Sequence, residues 1–200
     1  MCPRSAVTPG EALVPSQPHV IAFDDAPFAR EHRGDVLLVG AVCAGGRLDG
    51  VLTGKVRRDG TNSTRVMTEL IARSRFRDQV HAVLLQGIAV AGFNVVDLHV
   101  LHRDVGVPVL VVARKKPDLA AIRRALFDHV RGGARKWALI EQAGPMERLA
   151  DVWVQRAGIS AQAAGKLLDR LALHGRLPEP IRTAHLIAGG LGAGESRHRA

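Results

Sequence analysis

Two short apolar runs in the middle of the chain constrain its fold more than any other feature. Residues 80–85 and 107–112 are apolar along nearly their whole length, which is typical of strands buried on both faces of a sheet. The stretch between them repeats apolar residues at helical spacing and stops at Gly106. A strand-helix-strand unit of this composition predicts parallel pairing with a right-handed crossover.

The chain before these runs is predicted to form three antiparallel strands. They cover residues 19–23, 36–43 and 48–58, and Gly45-Gly46 indicates a hairpin between the second and the third. A helix follows them, and another opens after Pro117. This succession predicts an α/β fold with a ribonuclease-H-like mixed five-stranded sheet, three antiparallel strands then αβαβα, with helices on both faces. The pattern also allows other doubly wound arrangements.

The two ends of the chain are predicted to lie outside one main domain. Residues 1–18 contain four prolines and no continuous apolar stretch, so we expect a disordered arm rather than a signal peptide. The domain is expected over residues 19–190, and residues 191–200 form a basic, glycine-rich tail.

The last third of the domain carries weaker patterns. A short strand pair is predicted around residues 137–140 and 152–155. A helix is predicted to begin at Ser160 and to end at Gly175, and a short helix to follow over residues 181–188.

The charge balance favours a polyanionic partner. Lysine and arginine number 28 against 19 acidic residues, for a net charge of +9, and such a field attracts phosphate backbones. The excess is nearly all arginine, which arginine-rich codon usage in a GC-rich genome would also produce. The absence of tyrosine argues against a stacking platform for single strands.

Composition also bears on the compartment. The chain lacks an apolar stretch of the roughly 20 residues that span a bilayer, so no membrane association is expected. Two cysteines, one of them in an apolar strand, suit a reducing compartment, and we expect the cytoplasm. The pattern does not predict an oligomeric state.

Polar residues follow the predicted strands at positions that suit a metal site. Asp24-Asp25 comes after the first strand, Asp59-Gly60 after the third and Gln86 at the end of the fourth. Carboxylates at strand ends can hold a divalent cation, although aspartate is a favoured residue in turns and helix caps, which is the more ordinary interpretation. If the first and fourth strands are parallel neighbours about 4.8 Å apart, the acidic pair lies close to Gln86.

A basic run follows the fifth strand at the same edge of the sheet. Arg114, Lys115 and Lys116 could contact a phosphate backbone there, or could form a solvated loop. The glycines at 87 and 92 have a phosphate-loop interval, but Phe93-Asn94 replaces the lysine and hydroxyl residue that such a loop needs.

Five motifs together resemble a known family over about residues 19–200. The motifs are Ile-Ala-Phe-Asp-Asp-Ala-Pro-Phe at 21–28, Asp-Gly-Thr-Asn-Ser-Thr at 59–64, Gly-Phe-Asn-Val-Val-Asp at 92–97, Pro-Val-Leu-Val-Val-Ala-Arg-Lys-Lys-Pro-Asp at 108–118 and Pro-Glu-Pro-Ile-Arg-Thr-Ala-His at 178–185. The chain is identified as a member of the family known as domain of unknown function 99. That family is similar to endonuclease V, and this similarity implies a ribonuclease-H-like fold.

The resemblance also implies a site. Endonuclease V cuts nucleic acid near deaminated purines, using a divalent metal held by an aspartate after the first strand, a glutamate and a later strand-end aspartate. The first matches Asp24 or Asp25, and the glutamate falls near Asp59. The later aspartate falls on residue 86, where the family usually shows Asp-Gly and this chain has Gln86. An amide oxygen can contact Mg²⁺ but adds no negative charge, which should weaken metal binding and water activation.

Two hypotheses of different classes follow. In the first, the protein is a nucleic-acid-directed relative of endonuclease V. Asp24, Asp25 and Asp59 hold Mg²⁺ or Mn²⁺, Gln86 orients as a neutral ligand, and the nucleic acid contacts Arg114, Lys115, Lys116 and Asn94. In the second, it is a non-catalytic regulatory or assembly module without a cofactor. A third possibility, an enzyme acting on a small phosphorylated substrate, would show a closed pocket.

Overall fold

The computed structural model describes residues 17–196. Residues 1–16 of the predicted arm and residues 197–200 of the predicted tail lie outside the described residues. The strands and helices in chain order are β1 His19–Asp25, β2 Asp35–Ala44, β3 Arg47–Arg57, α1 Ser63–Arg73, β4 Ala82–Gln86, β5 Ala89–Val90, β6 Asn94–Val95, α2 Leu98–Val105, β7 Val109–Ala113, α3 Leu119–His129, α4 Gly133–Gln142, β8 Glu147–Leu149, β9 Val152–Ala157, α5 Ala161–Leu171 and α6 Glu179–Ala193.

The first five strands of the main sheet have the predicted order. The seven-stranded sheet runs β3-β2-β1-β4-β7-β9-β8. β1, β2 and β3 are antiparallel, whereas β1 pairs with β4 and β4 with β7 in parallel. The parallel pairing follows from strands that are buried on both faces and connected by helices. The ribonuclease-H-like fold class is therefore confirmed.

The prediction for the segment after α3 was partly wrong. Residues 137–140 lie in helix α4, not in a strand, and the strand pair is the hairpin β8–β9, which adds two antiparallel strands to the sheet. A run as short as Trp-Ala-Leu-Ile does not distinguish helix from strand by periodicity. Only one side of α4 is buried, where Lys136 and Ile140 lie one turn apart.

Three further boundaries differ from expectation. The loop after β4 contains the small hairpin β5–β6, and α5 ends at Leu171, four residues before Gly175. Helix α6 runs from Glu179 to Ala193 and so takes up the start of the predicted tail. The cap at Ser160 is confirmed, because its hydroxyl accepts a hydrogen bond from the Ala163 backbone N–H at 3.2 Å.

The sheet separates two apolar cores, and this arrangement decides which way each strand-end side chain faces. Ile21 and Phe23 pack with α1 and α2 on one face, while Val20 and Ala22 pack with α5 and α6 on the other. β4 alternates in the same way, since Leu84 lies in the second core. Even-numbered residues of β1 and β4 therefore face α6. No helix within residues 17–196 combines the length and the hydropathy needed to cross a bilayer.

Candidate active site at the carboxyl edge of the sheet

Asp24 and Gln86 lie side by side at the carboxyl ends of β1 and β4. The parallel register pairs Phe23 with Leu85, so the next residues of the two strands are Asp24 and Gln86. Neighbouring strands are about 4.8 Å apart, and both residues are even-numbered, so their side chains share the α6 face. The topology thus brings together the carboxylate and the amide that the sequence suggested.

A histidine from α6 completes this part of the edge. His185 Nδ1 lies 2.8 Å from Asp24 Oδ2, while Asp24 Oδ1 accepts a hydrogen bond from the Asp25 backbone N–H at 3.0 Å. Asp24 is only 8% exposed. Burial raises the pKa of Asp24 above its ordinary value, and the hydrogen bond from His185 opposes that rise. The carboxylate is thus held in one orientation by two partners.

Asp25 faces the opposite side of the sheet, towards the loop that carries hairpin β5–β6. Burial and the neighbouring charge of Asp24 raise the pKa of Asp25 to about 6, against a smaller lowering by the backbone N–H of Ala91. A carboxyl with a pKa in this range exchanges protons close to neutral pH. Two carboxylates of raised pKa at one strand end are an arrangement that a bound cation stabilises.

Asp59 contacts the same loop but uses its carboxylate to hold it. Its Oδ1 accepts a hydrogen bond from the Phe93 backbone N–H at 2.8 Å, and Oδ2 lies 3.2 Å from Arg58 Nε. Buried Lys136 donates to the carbonyls of Asp59 and Phe93, which fastens α4 to this loop. Asp59 itself adopts a φ of 50°, a conformation rare outside glycine and asparagine.

Gln86 leaves a polar atom without a partner. Its Oε1 is buried and accepts no hydrogen bond from the described residues. An unsatisfied buried acceptor costs about 1–3 kcal/mol, so such atoms are rare unless a ligand satisfies them. The Gln86 amide oxygen lies next to Asp24 and is a hard oxygen ligand of the kind that Mg²⁺ binds. Over residues 17–196, however, no three His, Cys, Asp or Glu side chains are grouped to hold a metal.

Asn94 does not lie on a nucleic-acid surface. It is fully buried, its Oδ1 accepts from the Ser63 backbone N–H at 3.1 Å, and its Nδ2 donates to Arg57 O at 2.9 Å and to Asn62 Oδ1 at 2.8 Å. These bonds link the end of β3 to the start of α1. The expectation that Asn94 contacts nucleic acid is therefore corrected, because its amide is used entirely inside the fold.

The basic run lies at the predicted edge. Arg114, Lys115 and Lys116 follow β7 directly and are exposed. Lys116 Nζ lies 5.3 Å from the centre of the Trp153 ring, so the tryptophan partly positions it. The other two have no ion-pair partner in the part of the chain that the structure describes.

His185 is the site residue that sequence reasoning did not identify. It belongs to the Pro-Glu-Pro motif segment, which was recognised as characteristic, but nothing local connects it to a residue 161 positions earlier. The available signal was a histidine directly before the apolar run at residues 186–188 of a predicted helix.

Comparisons with known proteins relate the chain to a family and to a fold. The sequence model of a family described as endonuclease dU matches residues 16–192. A UPF0215 protein of Deinococcus radiodurans is 57% identical over 182 residues, which cover 91% of this chain and 93% of that protein. A UPF0215 protein of Methanosarcina barkeri is 39% identical over 186 residues, covering 90% and 94%.

Solved structures resemble the chain at two levels of structural similarity. A protein of unknown function from Archaeoglobus fulgidus superposes with a TM-score of 0.83 at 31% identity, covering 89% of this chain and all of that one. Endonuclease V of Ciona intestinalis, in complex with inosine-containing DNA, superposes with a TM-score of 0.53 at 14% identity, covering 84% of this chain and 83% of that one. Endonuclease V of Streptomyces avermitilis gives 0.57 at 14% identity, covering 90% and 82%. At that identity the likeness to endonuclease V shows the fold alone.

Proposed function

Because this chain belongs to the endonuclease dU family, we propose that it acts on nucleic acid as a metal-dependent endonuclease, hydrolysing a phosphodiester bond near deoxyuridine. The substrate is suggested by the family's description. The observation that supports the chemistry is the grouping of Asp24, Gln86 and His185 at the carboxyl edge of the sheet, with Asp25 next to them on the opposite face of β1. Ligands of open α/β sheets bind at such edges.

The residues present fit one divalent cation such as Mg²⁺ or Mn²⁺. The donors would be the carboxylate of Asp24 and the unpaired Oε1 of Gln86, which share the α6 face, and phosphate oxygens of the substrate would supply further ligands. Asp25, predicted as a ligand, faces the opposite side of the sheet and would not hold the same cation. When bound, the cation supplies charge neutralisation and Lewis-acid activation of water. Asp59, also predicted as a ligand, is paired with the Arg58 guanidinium, which already offsets its charge, and would act by holding the loop beside Asp25.

The chain's own groups have separate tasks in this proposal. His185 holds the Asp24 carboxylate in a fixed orientation through the bond of 2.8 Å. Asp25, whose pKa is raised to about 6 by burial and by Asp24, accepts a proton from the attacking water close to neutral pH. Arg114, Lys115 and Lys116 bind phosphates of the substrate without determining which base is recognised.

The neutral residue at position 86 supports an alternative of a different class. A site in which an amide replaces a carboxylate holds Mg²⁺ less firmly, because the missing negative charge leaves more of the ion's desolvation uncompensated. In the alternative, the protein binds nucleic acid as a regulatory or assembly module and does not cleave it. The same fold and basic edge serve both functions.

Cleavage of defined oligonucleotides separates the two. We would incubate wild type, Asp24→Asn and Gln86→Asp with a labelled strand carrying one deoxyuridine, and with a thymidine-matched strand, in Mg²⁺ or Mn²⁺. The proposal predicts cleavage by wild type of the deoxyuridine strand only, loss in Asp24→Asn and a gain in Gln86→Asp. Binding without cleavage by wild type and by Gln86→Asp would establish the non-catalytic alternative instead.

A further inference from the structure

A cleft with basic walls opens beside the candidate active site on the α6 face of the sheet. Its volume is about 740 Å³. One wall is the segment after β7, with Arg114 and Lys115, and the other is the connection from α5 into α6, with Arg176 and Arg182. The acidic residues in its lining are Asp151 and Glu179. Positive charge is therefore in excess, and it comes from both sides.

The two acidic residues orient the arginines of the cleft, and a net positive charge remains. Glu179 is buried and receives the Arg182 guanidinium through Nε at 2.9 and 3.0 Å and through Nη2. The Arg182 guanidinium holds the pKa of Glu179 below its ordinary value. Asp151 lies 4.0 Å from Arg176 and 3.5 Å from Arg148. A paired arginine held at a fixed angle still presents its remaining donors to a phosphate.

The cleft lies next to the site, because its lining residues are close to site residues along α6 and across the sheet. Arg182 precedes His185 by three residues on α6, a rise of roughly 4.5 Å along the helix axis. On the other wall, Val112 pairs with Gln86 across the β4–β7 register, and Arg114 follows Val112 on the same face. The step from Val112 to Arg114 is about 6.6 Å along an extended strand. One wall thus begins three residues from His185, and the other begins two residues beyond the strand neighbour of Gln86.

We infer that this cleft binds the sugar-phosphate backbone of the nucleic-acid strand next to the bond on which the site acts. The inference rests on the proposed function, and it adds the direction in which the strand leaves the site. A repeating polyanion matches basic residues on two walls and at several levels. A single small phosphate would instead be matched by converging donors in an enclosed pocket.

The test is binding to a labelled single-stranded DNA carrying one deoxyuridine, in metal-free buffer and over a range of salt concentrations. The variant Lys115→Gln/Arg176→Gln removes one charge from each wall, and Asp151 keeps Arg148 as a partner. Its matched control is Arg73→Gln/Arg77→Gln. It removes two exposed charges, one at the end of α1 and one in the connection to β4, near the amino end of that strand and thus away from the site.

We expect the cleft variant to bind about tenfold more weakly and its salt slope to fall by about 0.7 per lost phosphate contact, with the control unchanged. Equal slopes for wild type and the cleft variant would overturn the inference even if wild type cleaves DNA. Equal losses in the control would overturn it as well, since binding would then follow net charge. Competition by millimolar inorganic phosphate as strong as by DNA would identify a small-phosphate site and also overturn it. Cleavage by wild type is scored separately, so a failure of the proposed function is distinguished from a failure of the cleft.

Discussion

Replacing Asp25 by asparagine should stabilise the metal-free protein at neutral and alkaline pH. The pKa of Asp25 is raised from 3.8 to about 6 by burial and by the charge of Asp24, so ionising it costs the native state more than the unfolded one. A difference of about two pH units corresponds to about 3 kcal/mol. The asparagine removes the charge and keeps an oxygen that can accept a hydrogen bond from the Ala91 backbone N–H.

The sign of the pH dependence follows from the direction of the shift. Because the folded pKa lies above the unfolded one, the native state binds more protons between pH 3.8 and about 6. The stability that protonated Asp25 contributes is fully present below pH 3.8 and is lost as the pH rises through about 6. The two proteins should therefore differ most above pH 7 and little near pH 4.

The assay is urea unfolding of wild type and Asp25→Asn in chelator-containing buffer at pH 4.5 and pH 8. We expect the variant to be more stable at pH 8 by up to about 3 kcal/mol, or by about 6–12 °C in Tm for a domain of this size. Asp128→Asn, an exposed carboxyl on α3, is the matched control and should change little. A variant that is equally stable or less stable at pH 8 would refute the electrostatic reasoning for this strand end.

Three further changes test the neighbouring groups. Gln86→Asp should lower metal-free stability through repulsion with Asp24, about 3 kcal/mol at an effective dielectric of 20 and about 5 Å, and should tighten Mg²⁺ binding measured by calorimetry. His185→Gln should keep the fold but lower the rate of cleavage, since Asp24 loses its orienting partner. Asn94→Ala should lower the free energy of unfolding by roughly 3 kcal/mol, because it leaves buried groups such as the Ser63 N–H unpaired.

Each of these has a discriminating outcome. Tighter Mg²⁺ binding by wild type than by Gln86→Asp would show that a carboxylate at position 86 does not strengthen the metal site. Full activity of His185→Gln at every pH would remove the positioning role of His185. If Asn94→Ala is as stable as wild type but binds DNA more weakly, the buried geometry described for Asn94 is wrong.

Much of the fold could be predicted because the relevant signals are local. The apolar runs that became β4 and β7, and the helical spacing between them, specify parallel pairing whatever the rest of the chain does. The same reasoning predicted that Asp24 or Asp25 lies close to Gln86, and the register of β1 and β4 shows that the neighbour is Asp24. It failed at residues 137–140, where four apolar residues suit either structure and contacts with a distant loop through Lys136 select the helix.

What the sequence by itself determined is the succession of the first five strands and their helices, and the set of polar residues at the strand ends. Only the tertiary structure decided how those residues are used. It packed α6 against the sheet and so brought His185 to Asp24, turned the carboxylate of Asp59 to a loop, and buried Asn94 between β3 and α1. The physical reason is that strand pattern is set by neighbouring residues, whereas side-chain partners depend on how distant elements pack.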